Sequence, residues 1–90
     1  MEFEYDEQKS LLNEKKRGIS FAEAREIWLV PRVEIPARTV DEPRFITVGK
    51  LRGKFYSCIF TIRGLKIRLI SARRSRAGEE IDYHETIDKD

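Results

Sequence analysis

The repeat of apolar residues changes at Pro31, and no other feature of the sequence constrains the fold as much. Upstream of this residue the apolar positions follow a helical spacing, whereas downstream they lie in runs of Val, Ile, Phe and Thr that favour strands. A proline cannot continue a helix, so the helical part ends before it. The chain therefore divides into an N-terminal helical part and a C-terminal sheet, which predicts an α+β fold.

Capping residues define two predicted helices. Asp6 suits the N-cap of the first helix, and Gly18 suits its left-handed C-terminal end. Ser20 and Glu23 have the spacing of a capping box, which opens the second helix. The two helices are predicted over Glu7 to Arg17 and from Ser20 through about Trp28.

The strand-forming residues lie in five short runs. The first begins at Phe3, where aromatic residues alternate with glutamates. Glycine-containing turns at Gly53 and Gly64 predict an antiparallel meander for the last three strands. The four later runs are Arg32 to Ala37, Arg44 to Lys50, Lys54 to Ile62, and Leu65 to Arg73.

A closing helix over Gly78 to Ile87 completes the order β-α-α-β-β-β-β-α. This order predicts a single two-layer domain over residues 1–90, with the two N-terminal helices on one face of an antiparallel sheet and the other face partly open. Alternation along the last strand predicts which side chains face the helices and which face away. The first set is Leu65, Ile67 and Leu69, and the second is Lys66, Arg68 and Ile70.

Basic residues are concentrated in the predicted sheet, although the formal net charge is only +2. From Arg44 to Arg76 there are ten Lys or Arg residues and no Asp or Glu, whereas ten acidic residues precede this segment and six follow it. Basic side chains on strand surfaces also keep a sheet soluble. A complete lack of acidic residues over this length nevertheless favours a polyanionic ligand.

Two clusters of polar side chains are candidates for a functional site. One face of the first helix carries two cations and an amide at the spacing i, i+4, i+7: Lys9, Asn13 and Lys16. The alternative is an ordinary solvated face. Four arginines lie within nine residues at the end of the last strand: Arg68, Arg73, Arg74 and Arg76. Their planar donors match phosphate oxygens and stay charged at neutral pH, which points to a phosphodiester ligand.

The remaining candidates are few. Glu79 and Tyr83 form an i, i+4 pair on the closing helix, although Glu79 also suits a helix start without any function. One His and one Cys provide no metal-ligand spacing, so no cofactor is expected. The lone Cys58 excludes an internal disulfide, and there is neither a secretion signal nor a membrane-spanning run, so a cytoplasmic location is expected.

These residues, taken in order, resemble the BrnT toxins, which are ribonucleases with a RelE-like domain from type II toxin–antitoxin systems. The resemblance is strongest at the end of the last strand and covers almost the whole chain. Its pieces are Phe3-Glu4-Tyr5-Asp6, Lys9, Asn13, Lys16, Gly18-Ile19-Ser20-Phe21, Glu23, Ala24, Arg44-Phe45-Ile46, Gly49, Gly53, Ile67-Arg68-Leu69-Ile70-Ser71-Ala72-Arg73-Arg74, Glu79 and Tyr83.

Two positions depart from the family pattern. Tyr5 replaces a usual Trp, and Lys16-Arg17-Gly18 replaces a usual Lys-His-Gly triplet. A histidine can exchange protons near neutral pH, whereas Arg17 is permanently charged. Either the family histidine is not the proton carrier, or this chain cleaves slowly or not at all.

The resemblance implies a metal-independent endoribonuclease that inhibits translation and growth and is neutralised by a BrnA-type antitoxin. In that family the antitoxin carries a ribbon-helix-helix module, so DNA binding would belong to the partner, and a dimeric antitoxin would give a hetero-tetramer. The implied catalytic residues are Arg68, Arg73 and Arg74 on the phosphate, Glu79 as base, and Tyr83 as acid or stacking platform. The implied RNA-binding residues are Lys9, Asn13, Lys16, Arg17 and Arg76.

Two other classes of protein fit the same charge pattern. One is a nucleic-acid or protein binding module without catalysis, and the other is a structural subunit that holds an acidic protein. RNA affinity separates them, because an RNA binder loses affinity steeply with added salt. Only a ribonuclease leaves cleaved ends.

Overall fold

The secondary structure follows the order predicted from the sequence. The computed structural model describes residues 2–38 and 41–89 of the chain. Its elements are β1 (Glu2–Glu4), α1 (Glu7–Arg17), α2 (Phe21–Ala24), the 3₁₀ helix η1 (Arg25–Leu29), β2 (Arg32–Ala37), β3 (Arg44–Leu51), β4 (Lys54–Arg63), β5 (Lys66–Arg74) and α3 (Ala77–Thr86). The α+β prediction is thereby confirmed.

The predicted helix caps are present. The Asp6 carboxylate accepts hydrogen bonds from the N–H groups of Gln8 and Lys9, and Gly18 ends α1 with a φ of 78°. Ser20 and Glu23 form a reciprocal capping box at the start of α2. The second helix soon tightens into η1, so the helical part still ends before Pro31.

The sheet has the strand order β1-β5-β4-β3-β2. Strands β3, β4 and β5 form the predicted antiparallel meander. The prediction of a wholly antiparallel sheet is wrong at one edge, because β1 pairs with β5 in parallel, from Glu2 opposite Lys66 to Glu4 opposite Arg68. A parallel pair needs a long crossover, which the intervening helices and strands provide.

A β-bulge at Ile70 decides which face each side chain of β5 occupies. Leu69 lies opposite Phe60 and Ser71 lies opposite Ile59, so Ile70 has no partner on β4. This extra residue lets Leu69 and Ala72 share the core face, although strict alternation would separate them.

On the N-terminal side of the bulge, the predicted alternation is confirmed for two of its core residues. Ile67 and Leu69 are buried in the core and Arg68 lies on the opposite face. The prediction for Leu65 is wrong, because this residue lies in the β4–β5 turn with 92% of its surface exposed.

The two faces of the sheet are covered differently. The core face packs on the first helices through a cluster of buried residues: Ile19, Phe21, Ala24, Ile27, Cys58, Phe60, Ile67, Leu69 and Ala72. On the opposite face, α3 packs through Tyr83, whose ring lies 5.0 Å from that of Phe55. Arg68 lies on this second face. Within residues 2–38 and 41–89, no helix has the length and apolar character needed to cross a membrane.

Candidate nucleic-acid interface

Helix α1 is fixed beside the open edge of β5 by the side chain of Asn13. Because β1 pairs with residues 66–68, the next part of the β5 edge has no neighbouring strand among the residues that the structure describes. The Asn13 amide nitrogen donates to the carbonyl oxygens of Ile19 at 2.7 Å and Ala72 at 2.8 Å. Its oxygen accepts from the Ala72 N–H at 3.3 Å. These contacts give Asn13 a structural role, and the RNA contact expected of it from the sequence stays a prediction.

A cavity of about 210 Å³ lies between α1 and β5. Two of the three polar residues predicted to share a face of α1, Lys9 and Lys16, line it with charged side chains, and Arg17 joins them. No acidic residue lines this cavity among the described residues. The full lining is Lys9, Leu12, Asn13, Lys16, Arg17, Phe21, Ile70 and Ser71.

A second cavity, of about 190 Å³, adjoins the first. Lys9 and Ile70 line both cavities, so the two lie side by side, and we call them together the α1–β5 groove. The second cavity is lined by Asp6, Lys9, Glu42, Arg44, Arg63, Arg68, Leu69 and Ile70. Six cations and two carboxylates line the groove in total, so its potential is positive.

Two of these cations, Arg44 and Arg63, are residues that the sequence analysis did not select. Both lie in the segment from Arg44 to Arg76 that has no acidic residue, but they come from β3 and β4 and not from the strand that carries Arg68. Strand pairing brings them close to Arg68. Thr61 of β4, two residues before Arg63, lies opposite Arg68. The adjacent Phe60 lies opposite Phe45 of β3, which follows Arg44. The turns predicted the antiparallel meander, and this meander could have indicated that Arg44 and Arg63 lie near Arg68.

The groove cations have weak or distant counter-charges. Arg68 Nη1 lies 3.9 Å from Glu4 Oε1, with 30% of the arginine side chain exposed. Arg63 lies 3.7 Å from Glu42. In the part of the chain that the structure describes, Lys9, Lys16 and Arg17 have no carboxylate within ion-pair distance. An anion bound in the groove would relieve the repulsion among these side chains.

Arg73 has a different environment, although it lies only five residues further along β5. Its two terminal nitrogens each lie 2.8 Å from a carboxylate oxygen of Glu79. Glu79 also accepts hydrogen bonds from the Ser57 hydroxyl at 2.8 Å and the Arg76 N–H at 2.9 Å. The Arg73 and Glu79 side chains are only 13% and 11% exposed. These contacts join α3 to the sheet.

The pKa of Glu79 argues against the catalytic role predicted for it. Burial alone would raise the pKa of this carboxyl, but hydrogen bonds from Arg73, the Arg76 N–H and Ser57, together with the charge of Arg73, lower it from 4.5 to about 2. Such a carboxylate stays ionised at neutral pH and is a weak base. We therefore propose a structural role for Arg73 and Glu79 in place of the catalytic roles expected from the sequence.

The other predicted site residues lie outside the groove. Tyr83 of α3 is buried against Phe55 of the sheet, and burial raises the pKa of its hydroxyl, so the hydroxyl stays protonated at neutral pH. The Arg74 guanidinium lies over the Tyr56 ring, 5.7 Å from its centroid. Arg76 is the exposed N-cap residue of α3. The structure thus brings Lys9, Lys16, Arg17 and Arg68 together.

Carboxylates, imidazoles and thiols do not cluster in the described residues, where no group of three or more could hold a metal ion. Cys58 is buried, and burial raises the pKa of its thiol to about 12, so it stays protonated. The chemistry that the groove offers is charge stabilisation by lysine and arginine side chains.

The family model described as "Ribonuclease toxin, BrnT, of type II toxin-antitoxin system" matches residues 5–79. This segment contains the residues that line the groove. No curated protein matches the chain.

Proposed function

Since the chain belongs to the BrnT family of ribonuclease toxins of type II toxin–antitoxin systems, we propose that it cleaves RNA in the α1–β5 groove without a metal ion. Family membership implies an RNA target and a protein antitoxin. The observation that carries the proposal is the set of cations that line the groove, of which Lys9, Lys16 and Arg17 have no carboxylate within ion-pair distance among the described residues.

The proposed reaction is an internal transfer of phosphate. The 2′-oxygen of a ribose attacks the adjacent phosphorus and loses its proton, while the bond from phosphorus to the 5′-oxygen breaks and that oxygen gains a proton. The products are a 2′,3′-cyclic phosphate and a free 5′-hydroxyl. The transition state carries additional negative charge on the phosphate oxygens, which positioned cations stabilise.

Arg68 is the residue proposed to bind the scissile phosphate. It lines the second cavity together with Lys9, Arg44 and Arg63. A planar guanidinium can donate two parallel hydrogen bonds to phosphate oxygens. Lys9 assists it from α1, and stabilisation of the transition state by these charges is the largest catalytic contribution we propose.

Neighbouring phosphates would bind to the remaining cations. Lys16 and Arg17 line the cavity near the C-terminus of α1. Arg74 and Arg76 are exposed at and just after the C-terminal end of β5. Contacts of this kind position the RNA and make its affinity sensitive to salt. We place Arg74 here and not on the scissile phosphate, because it lines neither cavity.

A BrnA-type antitoxin is the proposed partner. An acidic segment of that protein laid over the α1–β5 groove would neutralise the groove cations and exclude RNA in one step. A dimeric antitoxin would join two copies of the toxin into a hetero-tetramer, and DNA binding by the complex would belong to the antitoxin.

Arg17 favours a second candidate function, an RNA-binding module without catalysis. This permanently charged residue lines the groove where the family pattern has a histidine. Reversion of Arg17 to His separates the two functions. A non-catalytic module that lacks only the proton carrier gains cleavage on reversion, whereas an active ribonuclease already cleaves with Arg17.

The test is incubation of the purified chain with a defined single-stranded RNA in the presence of EDTA, followed by mapping of the new ends. We expect 2′,3′-cyclic phosphate ends from the wild type and a loss of about 100-fold or more in cleavage rate for Arg68→Ala. Arg52→Ala is the matched control, because Arg52 is exposed and binds Glu26 and Glu23 away from the groove. Intact RNA that binds in a salt-sensitive way would favour the non-catalytic module.

A further inference from the structure

The two cavities of the α1–β5 groove differ in chemical character. The cavity around Arg68 is lined mainly by charged side chains, four cationic and two acidic. The cavity nearer the C-terminus of α1 has three apolar side chains in its lining, Leu12, Phe21 and Ile70. A phosphate suits the cavity around Arg68, whereas apolar side chains do not stabilise the charge of a phosphate.

The apolar walls are held in place by the fold. Phe21 is only 2% exposed and packs in the core, with its ring against Tyr5. Ile70 is the bulged residue of β5 and lines both cavities. Asn13 fixes α1, which carries Leu12, to the edge of β5 through Ala72. The opening is thus a preformed feature of the packing.

The size of this cavity suits a flat ring. Its volume is about 210 Å³, and a cavity of about 150 Å³ in another protein holds benzene. Polar groups lie beside the apolar walls: the Ser71 hydroxyl and the side chains of Lys9, Lys16 and Arg17. Hydroxyl and cationic groups can hydrogen-bond to the oxygen and nitrogen acceptors on the edge of a base.

We propose that this cavity binds one unstacked nucleobase of the RNA, beside the phosphate held at Arg68. The inference rests on the proposed function and adds a substrate class to it, since only single-stranded RNA can present a base in this way. Lys9 lines both cavities, so it would join Arg68 on the scissile phosphate while the base lies beside it. The pocket would fix the position of the RNA along the groove.

Two neighbouring leucines of α1 provide a matched test. Leu12 lines the cavity and Leu11 does not, yet the two are similarly exposed, at 53% and 61%. Leu12→Trp fills the pocket with an indole, whereas Leu11→Trp adds the same side chain outside it. Because both side chains are more than half exposed, both variants are expected to fold, and thermal melting checks this.

The measurement is affinity for two single strands of equal length at one fixed salt concentration. One strand carries bases and the other is wholly abasic, and both are 2′-O-methylated so that neither can be cleaved. We expect the wild type and Leu11→Trp to prefer the strand with bases by about tenfold. Leu12→Trp should lose this preference while it keeps its affinity for the abasic backbone.

Equal affinity of the wild type for the two strands would overturn the pocket, and so would a preference that survives in Leu12→Trp. These outcomes leave the proposed ribonuclease activity standing if the wild type still cleaves unmodified RNA. The opposite outcome is also possible to recognise. If only Leu12→Trp loses the preference for the strand with bases, and the wild type cleaves no RNA, the base pocket stands and the catalytic proposal is rejected.

Discussion

Arg68 and Arg73 are the same residue type on the same strand and the same face of the sheet, but their surroundings differ. Arg73 forms two hydrogen bonds of 2.8 Å with Glu79 and is nearly buried. Arg68 lies 3.9 Å from the carboxylate of Glu4 and lines an open cavity with three other cations. The position of α3 makes the difference, because this helix brings a carboxylate to Arg73 and none to Arg68.

The comparison shows that arginine content alone does not locate a phosphate site. A guanidinium whose donors are already used by a carboxylate stabilises the fold, whereas one with weak partners can bind an incoming anion. The predictions that follow test this division between a structural end of β5, at Arg73, and a ligand-binding part, at Arg68.

The largest effect on stability is expected from Arg73→Ala. The substitution leaves Glu79 nearly buried without its main partner, so the free energy of unfolding should fall by about 3 kcal/mol. Urea denaturation measures this loss. Arg52→Ala breaks an exposed ion pair and should cost less than about 1 kcal/mol. Equal losses in the two variants would remove the distinction between a structural arginine and a surface arginine.

Acid should remove the stabilisation that ionised Glu79 provides. Its pKa is about 2 in the folded chain against 4.5 for an unperturbed carboxyl. Because the folded-state value is the lower one, this contribution is complete above pH 4.5 and is lost as the pH falls through about 2. Denaturation curves between pH 7 and pH 2 should therefore fall more steeply for the wild type than for Glu79→Gln. Parallel curves would contradict the ion pair.

Asn13→Ala should cost about 2 kcal/mol, because it leaves the N–H and C=O of Ala72 without their partner at the β5 edge. Gln8→Ala is the control, since it removes an exposed amide from the same helix. Chemical denaturation of both variants gives the comparison. If the two changes cost the same, α1 is held by its other contacts and not by Asn13.

How much of this could be predicted from the sequence depends on the range of the interaction. Caps and periodicity predicted the helices and the meander, because these depend on residues close together in the chain. The pairing of Arg73 with Glu79 could not be predicted, because it depends on which face of the sheet α3 covers.

The groove, too, could be predicted only where it depends on residues close together in the chain. The spacing of Lys9 and Lys16 predicted one shared helix face, and both line the first cavity. Arg44 and Arg63 join Arg68 only through the register of three strands. The alternation of apolar residues in the sequence does not predict the bulge at Ile70, although this bulge puts Leu69 and Ala72 on the same face of the sheet.

The smallest effect is expected from Arg17→Gln. Loss of one phosphate contact should weaken RNA binding and reduce the slope of log affinity against log salt by about 0.7. A salt titration of binding to 2′-O-methylated RNA measures this slope. Arg52→Gln should leave it unchanged, and a similar reduction in that variant would mean that RNA binds outside the groove.

The measurement that tests the central claim most directly is the rate of RNA cleavage by Arg68→Ala and Arg73→Ala, compared at a temperature where melting curves show both to be folded. We expect Arg68→Ala to lose about 100-fold or more in rate with a melting temperature close to that of the wild type. Arg73→Ala should melt earlier but cleave at nearly the wild-type rate once folded. The reverse result, with cleavage lost in Arg73→Ala and kept in Arg68→Ala, would contradict the assignment of the α1–β5 groove as the active site.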